Sequence, residues 1–300
     1  MNPLEILGRG NGLLALGAAV LWGGGDFAGG MGVKSAGGSV RAALRVVLLS
    51  HAASFSALVL IAQMRGDVFP HGALLAWGVA AGVAGGLALT AFYVALSREA
   101  MGAAAAVSGL LAATIPGAVG EWQMGSPGVR ALAGFAVAGI AIWMIAAAPA
   151  RKGEGTTSRE TMLLAGLAGV GFGFYFVALK MAGAGGVVWP MATARIGSLT
   201  TCALLALGFG LKRQSVGDVP VRFGRVAAGW ALGTAVLDTS GNLLFLAATR
   251  AGRLDIAAVL ASLYPASTIL LAAVMLGQWP TRRQALGMGI AVVAVVLIAM

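Results

Sequence analysis

The chain has 300 residues, of which 59% are apolar and only 10% are charged, and its formal net charge is +10. Soluble domains usually carry about 25% charged residues, so a soluble globular enzyme is excluded and a multi-pass membrane protein is predicted. The basic residues are dispersed between apolar runs, which is typical of membrane flanks and argues against nucleic acid as a partner.

Glycine accounts for 47 residues, about twice its usual share of roughly 7%. Small residues let helices pack closely in lipid, and the apolar runs are continuous, so transmembrane helices are predicted. With one cysteine and two histidines, the chain can form no internal disulfide and has no cysteine- or histidine-rich metal motif. No metal and no cofactor is therefore predicted.

Ten apolar segments approach the length of about 20 residues that a membrane helix needs. An all-α polytopic membrane protein with ten transmembrane helices is predicted, and short connectors make consecutive helices antiparallel neighbours. The segments are 12–33, 40–62, 72–96, 103–121, 128–148, 161–181, 188–210, 224–248, 255–276 and 284–300.

The first segment contains Asp26, well inside the predicted helix, in the run Trp22-Gly-Gly-Gly-Asp26. A charged side chain in the hydrocarbon costs about 2.5–3.5 kcal/mol on insertion scales, so an acid at this depth needs a reason. One interpretation is a proton or cation site, with the ring of Trp22 one turn away facing an organic cation. The other is an acid near the interface that pairs with Lys34 or Arg41.

The second and seventh segments carry arginines at corresponding positions, Arg45 and Arg195. Each could recognise a carboxylate or act as a charge partner, and each could instead extend its long side chain to the headgroups. The headgroup interpretation is favoured for Arg45. His51, in the middle of the second segment, is either a group that titrates near neutral pH or a hydrogen-bonding residue between helices.

Two prolines interrupt the matching fourth and ninth segments, Pro116 and Pro265. Both are predicted to break their helices near the binding region, as helix breaks in transporters often do, and a packed kink is the alternative at each. Tyr175 in the sixth segment and Tyr264 in the ninth are candidates for the wall of a cavity.

The eighth segment places Asp238 close to its middle, and Asn242 is one turn further on and shares its face. No interface is near enough for so short a side chain, so Asp238 faces a wet cavity, carries a proton or is paired. It is the leading candidate for substrate or proton binding, with Asn242 orienting the bound group. The structural alternative is an ion pair with Arg195 or Arg45.

The linker Pro149–Glu160 divides the chain into two similar halves, 1–150 and 151–300. Gly120-Glu121-Trp122 recurs as Gly277-Gln278-Trp279, and further pairs follow in the same order. Each half holds five segments, and because five is odd, the second copy is inserted upside down. Inverted repeats of this kind build alternating-access transporters, with the substrate site between the copies.

The stretch Phe245–Pro265, followed by Leu276–Gly287, resembles the second repeat of EamA-type transporters of the drug/metabolite transporter superfamily. The shared pattern is an aromatic helix end, a small-residue helix leading to proline, and Leu-Gly-Glu before the last helix. The resemblance covers essentially the whole chain and implies ten helices in two inverted five-helix repeats that move small metabolites or drugs. Gln278 replaces the usual Glu of this pattern, whereas Glu121 keeps it in the first copy.

No Walker loop and no hydrolase or metalloprotease motif is present, so neither an enzyme nor a directly ATP-driven pump is predicted. The predicted function is a secondary transporter of small metabolites, amino-acid-like compounds or drugs, coupled to protons or working by exchange, in the cell (inner or plasma) membrane. Its partners are a small-molecule solute, membrane lipid and, with coupling, protons. Two alternatives stay open: an organic-cation (choline-type) transporter, and a non-transporting component such as a lipid-carrier flippase subunit.

The charge distribution and the family resemblance disagree on orientation. Six Lys and Arg residues fall on the side of the termini and 13 on the opposite side, which places the termini outside. The resemblance implies cytoplasmic termini, so the orientation is left open.

Overall fold

The computed structural model of the chain describes residues 11–98, 101–146, 159–211 and 222–299, and this part is built of helices without strands. The helices are α1 (Asn11–Ser35), α2 (Val40–Arg65), α3 (Ala73–Arg98), α4 (Met101–Met124), α5 (Val129–Ala146), α6 (Arg159–Ala182), α7 (Val188–Leu211), α8 (Arg225–Ala251), α9 (Leu254–Ala261), α10 (Pro265–Leu276) and α11 (Arg282–Ala299).

Within the described residues, eight helical segments are long and apolar enough to cross a membrane, and α9 with α10 counts as one of them. The helices α5 and α11 are shorter, with 18 residues each. Every bound predicted from the apolar runs lies within three residues of an observed helix end. The all-helical, multi-pass class is confirmed, while the count of ten crossings stays a prediction.

Helix ends follow from local sequence signals in the short connectors. Ser39 precedes α2 and its hydroxyl accepts a hydrogen bond from the backbone N–H of Ala42 at 3.2 Å. Gly66 ends α2 with a φ of 68°, and Gly277 ends α10 with a φ of 66°. Glycine adopts this left-handed conformation without a steric penalty, so the chain turns where the apolar run stops.

The two prolines behave differently from each other. Pro116 lies inside α4, which continues from Met101 to Met124, so the predicted helix break at Pro116 is wrong. A proline removes one backbone hydrogen bond, but the apolar surroundings favour keeping the others. In addition, Ile115 beside Pro116 packs on Gly173 of α6. Pro265 does stand at a break: α9 ends at Ala261, and Pro265 is the first residue of α10.

The two halves of the chain pack on each other more extensively than neighbouring helices pack within a half. The main pairs across the halves are α1 with α8, α3 with α6, α5 with α11, α3 with α7, α4 with α6 and α2 with α7, and smaller contacts join α2 with α8 and α4 with α9. Exchanging each helix for its counterpart five segments along converts α1–α8 into α6–α3 and leaves α2–α7 unchanged. The packing is therefore symmetric between the halves at the level of helix pairs.

Glycines let the backbones of these helices approach closely. In α3, Gly78, Gly82 and Gly86 follow each other at four-residue intervals and face α7. A Cβ atom on Gly82 would overlap with the carbonyl oxygen of Ala194, and one on Gly86 would lie 2.6 Å from Ser198 Oγ. In α1, a Cβ on Gly25 would lie 3.2 Å from the backbone nitrogen of Asp238. Backbone contact of this kind replaces hydrophobic driving force in lipid.

Polar contacts join the helices at both ends of α6. At its start, Arg98 of α3 forms an ion pair with Glu160 at 2.8 Å. At its end, Lys180 donates a hydrogen bond to the carbonyl of Thr249 at the end of α8, and Arg250 donates one to the carbonyl of Gly183. Contacts at both ends hold the bundle around the centre, where the ionisable side chains lie.

The loop before α9 is fixed by an arginine outside the membrane-spanning segments. Arg253 donates to the carboxylate of Asp255 at 2.7 Å and to the carbonyl of Gly125 at 2.6 Å, which ties α9 to the end of α4. The hydrogen bonds to Asp255 raise the pKa of the Arg253 guanidinium above its ordinary value. Arg253 therefore stays charged, and this end of α9 is held in place.

Candidate functional site

A small cavity lies in the middle of the bundle, between helices of both halves. All eight residues predicted to bind substrate or protons line it, and they come from α1, α2, α6, α7, α8 and the turn before α10. The cavity volume is about 40 Å³, which has room for a few water molecules. A drug-sized ligand needs several hundred Å³, so this space is too small for one.

Arg195 of α7 is the centre of the polar network. Its side chain is 3% exposed, and its Nη2 donates to Asp238 Oδ2 at 2.5 Å. Nη1 lies 2.7 Å from His51 Nε2, and Nε donates to Ser54 Oγ at 3.0 Å. One guanidinium thus binds side chains of α2 and α8 together. Arg195 does not extend to the headgroups. It is the charge partner of Asp238, and the recognition of a substrate carboxylate stays a prediction.

Asp238 lies midway along α8, thirteen residues from either end. It is paired with Arg195, which is the structural alternative that the sequence left open, and it also lines the cavity. The pair is nearly removed from water, with side chains 3% and 12% exposed for Arg195 and Asp238. A charge pair in such surroundings is stable as long as both partners remain, because each compensates for the other's lost hydration.

His51 is held in one tautomer by its two neighbours. An arginine can only donate hydrogen bonds, so the contact from Arg195 requires an unprotonated Nε2 on His51. The proton then lies on Nδ1, which donates to Ser198 Oγ at 2.6 Å. His51 is therefore neutral in this arrangement. Of the two roles predicted for it, the contacts match the hydrogen-bonding residue between helices.

Asn242 and Tyr175 connect α8 to α6. Asn242 Nδ2 donates to the carbonyl of Asp238 at 2.7 Å, one turn earlier on the same helix. The hydroxyl of Tyr175 donates to Asn242 Oδ1, also at 2.7 Å. Both polar ends of the amide are occupied, so Asn242 fixes the position of α8 against α6 beside the ion pair.

Asp26 of α1 lies on the same cavity without a comparable partner. It is 8% exposed, and its carboxylate forms no hydrogen bond or ion pair with any other described residue. The alternative partner Arg41 donates to the carbonyl of Phe209 instead. Asp26 and Asp238 line the same cavity, so their carboxylates repel each other when both are ionised. The two acids of the cavity are therefore unequal.

Aromatic side chains cover the cavity beside Asp26. Trp22, one turn before Asp26, stacks on Phe176 with ring centroids 5.0 Å apart, and Phe245 packs behind both. The hydroxyl of Tyr264 is buried beside Ser108 and forms no hydrogen bond of normal geometry among the described residues. This part of the wall therefore combines aromatic rings and the hydroxyl of Tyr264 with the carboxylate of Asp26, which has no partner among the described residues.

Some of the predicted residues lie outside the cavity, and some functional groups were missed. Arg45 is exposed on the outside of α2, which agrees with the headgroup interpretation, and neither Pro116 nor Pro265 lines the cavity. Ser54, Ser198 and Thr239 belong to the network but were not predicted, since isolated hydroxyls are common in membrane helices. In the described part of the chain, no three His, Cys, Asp or Glu side chains are grouped as metal ligands.

Comparison with known proteins identifies a family domain in the second half of the chain. Residues 159–300 match the model of the EamA-like transporter family. The chain carries an EamA-like transporter domain. The match confirms the resemblance predicted from the sequence, and the EamA-like domain contains Arg195, Asp238, Asn242 and Tyr264 of the cavity.

The fold extends beyond the EamA-like domain to the first half of the chain. A crystal structure of another protein, 20% identical in sequence, superposes with a TM-score of 0.67 and covers 95% of this chain and 94% of its own. At this identity the likeness shows the fold alone. No curated protein matches the sequence. The family is that of membrane transporters, so the cavity is a candidate solute site in a multi-pass membrane protein.

Proposed function

We propose that this protein is a secondary transporter of the drug/metabolite type that moves small metabolites, amino-acid-like compounds or drugs by alternating access. Transport would be coupled to protons or proceed by exchange. The observation that supports this most is the charged network around a central cavity between the two halves, because buried ionisable groups in membrane helices mark solute and proton pathways. The EamA-like domain supports the same function independently.

The packing of the halves supports a rocking mechanism. Two five-helix repeats, 1–150 and 151–300, would each move as a body, and the exchange symmetry of the helix pairs is what an inverted repeat produces. The cavity is too small for a metabolite, so it would have to widen during such a cycle to admit one. Opening would require α1–α8 or α3–α6 to separate at one end.

The lipid-carrier alternative predicts a lateral opening lined by Arg45 or Arg195. Arg195 is bonded to Asp238 in the centre, and Arg45 is exposed away from the cavity. A second cavity of about 350 Å³ between α4, α5 and α9 contains neither arginine. No contact of the described residues favours this alternative over solute transport.

Transport in liposomes tests the proposal. The purified protein would be reconstituted into vesicles that contain a pH indicator, and a panel of amino acids, amines and amphiphilic drugs would be supplied outside. We expect at least one compound to drive solute and proton movement in the wild type. Asp238→Asn is expected to abolish or uncouple this movement, because Arg195 loses the charge that compensates it.

The matched control is Asp67→Asn, which removes an acid from the exposed α2–α3 loop, where Asp67 pairs with Arg65. It is expected to transport like the wild type. Undiminished proton-dependent flux in Asp238→Asn, with the protein folded by size-exclusion chromatography, would remove Asp238 from the mechanism. Absence of flux for every compound of the panel would overturn solute transport.

A further inference from the structure

The charged groups of the cavity do not balance. Two carboxylates, Asp26 and Asp238, and one guanidinium, Arg195, line it. His51 adds no charge, because its Nε2 accepts from Arg195 and its proton lies on Nδ1. The described groups of the cavity therefore sum to minus one when both carboxylates are ionised.

An excess negative charge in the centre of a membrane protein requires a cation. The free energy of leaving a carboxylate unpaired in such surroundings is large, so the site takes up a proton or another cation. Arg195 cannot supply it, since its three nitrogens already contact Asp238, His51 and Ser54. The missing cation must come from outside the described network.

We propose that Asp26, and not Asp238, is the residue that binds the transported cation, and that this cation is a small organic amine that competes with a proton. The inference rests on the proposed transport function and assigns its substrate class. Asp238 is then a positioning residue, whose charge is used to hold Arg195. Asp26 keeps its carboxylate available for the ligand.

The surroundings of Asp26 fit an organic amine better than a metal ion. Trp22 and Phe176, which stack on each other, both line the cavity, and aromatic rings attract ammonium groups. The hydroxyl of Tyr264 can accept a hydrogen bond from an N–H group. A metal ion would need several ligands, and among the described residues no three His, Cys, Asp or Glu side chains are grouped to supply them. The ring faces instead match the methyl or methylene groups of an alkylamine.

The ionisable groups that face Asp26 determine how the exchange depends on pH. They come from every helix around it, and they are Asp238, Arg195, His51, Tyr93, Tyr175 and Tyr264. The phenols are neutral at physiological pH, and Asp238 and Arg195 compensate each other. Asp26 is thus the group that changes its protonation when an ammonium ion arrives.

The exchange conserves charge and atoms. In the empty site the carboxyl group of Asp26 carries a proton. An ammonium ion from solution displaces it, the carboxylate–ammonium pair forms, and the proton leaves through water to the same side. No bond of the amine is broken. One proton is released for each amine bound, and the reverse step on the other side would return a proton.

Amine binding to purified protein tests the proposal without a transport assay. The probes are methylammonium, choline and tetraethylammonium, and the readouts are thermal stability at about pH 6 and about pH 8 and the proton release in weakly buffered detergent solution. We expect at least one probe to stabilise the wild type more strongly at the higher pH, with release of a proton. In Asp26→Asn the affinity should fall by about tenfold or more, and the release should vanish.

Two further variants, Asp26→Glu and Asp67→Asn, serve as controls. Asp26→Glu retains the charge and should keep proton release with altered affinity, so a loss in Asp26→Asn cannot be attributed to misfolding alone. Asp67→Asn should behave like the wild type. The inference is overturned when none of the probes stabilises the wild type, or when Asp26→Asn keeps amine binding and Asp238→Asn loses it.

The outcomes separate this inference from the proposed function. Flux of an amino acid or drug in vesicles, without any effect of the amines on the purified protein, would leave the transporter standing and overturn the role of Asp26. Amine binding with proton release, but no flux in vesicles, would support the Asp26 site and overturn transport.

Discussion

The wall of the cavity formed by α2, α7 and α8 is charged, whereas the wall formed by α3 and α6 consists of glycine and aromatic residues. Arg195, His51 and Asp238 belong to the first wall, and Gly82 and Gly86 to the second. The end of α3, Tyr93-Val-Ala-Leu-Ser-Arg98, resembles the end of α8, Leu246-Ala-Ala-Thr-Arg250, which matches Arg98 with Arg250. The residue twelve positions before Arg250 is Asp238, and the residue twelve positions before Arg98 is Gly86. The position that carries the acid in one half is a close-packing glycine in the other.

The two arginines at corresponding positions of α2 and α7 show the same divergence. Arg195 is buried and bonded to Asp238, while Arg45 is exposed. A buried arginine needs an acid within reach, and α8 supplies one to Arg195, whereas the matching position of α3 is Gly86. The predicted repeat agrees with the packing of the helix pairs, whereas the charged contacts are formed by Arg195 and not by Arg45.

The largest expected effect comes from replacing each of the two arginines by alanine. Arg195→Ala leaves the buried carboxylate of Asp238 unpaired, which should lower the free energy of unfolding by about 3–5 kcal/mol. Arg45→Ala removes an exposed side chain and should change it by less than about 0.5 kcal/mol. Thermal unfolding of both variants in detergent compares them. Equal losses would contradict the difference between the two positions.

A smaller effect is expected from the glycine wall. Gly82→Ala places a Cβ atom on the carbonyl of Ala194, so α3 and α7 must move apart, at a cost of about 1–3 kcal/mol. Gly229→Ala in α8, where nothing lies within 4 Å of the added atom, serves as the control and should be neutral or stabilising by up to about 1 kcal/mol. A melting temperature of Gly82→Ala at or above that of the wild type would show that α3 is not in close contact with α7.

The smallest effect concerns two tyrosine hydroxyls. Tyr175→Phe removes the hydrogen bond to Asn242 and should destabilise the protein by about 1 kcal/mol. The hydroxyl of Tyr93 is buried without a partner in the described part of the chain, so Tyr93→Phe should not destabilise and serves as the matched variant. Tyr175→Phe should melt at a lower temperature than Tyr93→Phe. The reverse order would show that the stabilising hydrogen bond is formed by Tyr93 and not by Tyr175.

Several elements could be predicted because lipid imposes strict rules on sequence. A membrane helix must be continuously apolar, so the runs around 40–62 and 188–210 coincide with α2 and α7 to within a few residues. Ionisable residues within such runs are rare, so Asp26, His51 and Asp238 were recognisable as candidates by their depth alone.

Other features were beyond the reach of sequence patterns. Nothing in the spacing of Arg195 and Asp238, 43 residues apart, selects this pair over Arg45 and Asp238, because helix packing decides which arginine faces inward. The helix break predicted at Pro116 was wrong, since packing against α6 can hold a helix together across one missing hydrogen bond. The contacts were also needed to show that Asp238 is compensated by Arg195, whereas Asp26 has no partner among the described residues.

The sequence by itself determined that the chain is a helical membrane protein, which residues are buried ionisable groups, and which family it resembles. These properties depend on composition and on local order along the chain, and a helix satisfies its own backbone hydrogen bonds. Only the tertiary structure decided that Asp238 is paired with Arg195 and that Asp26 has no partner among the residues that the structure describes. Charge compensation requires side chains within a few ångströms, and such proximity arises between helices that are distant in the chain.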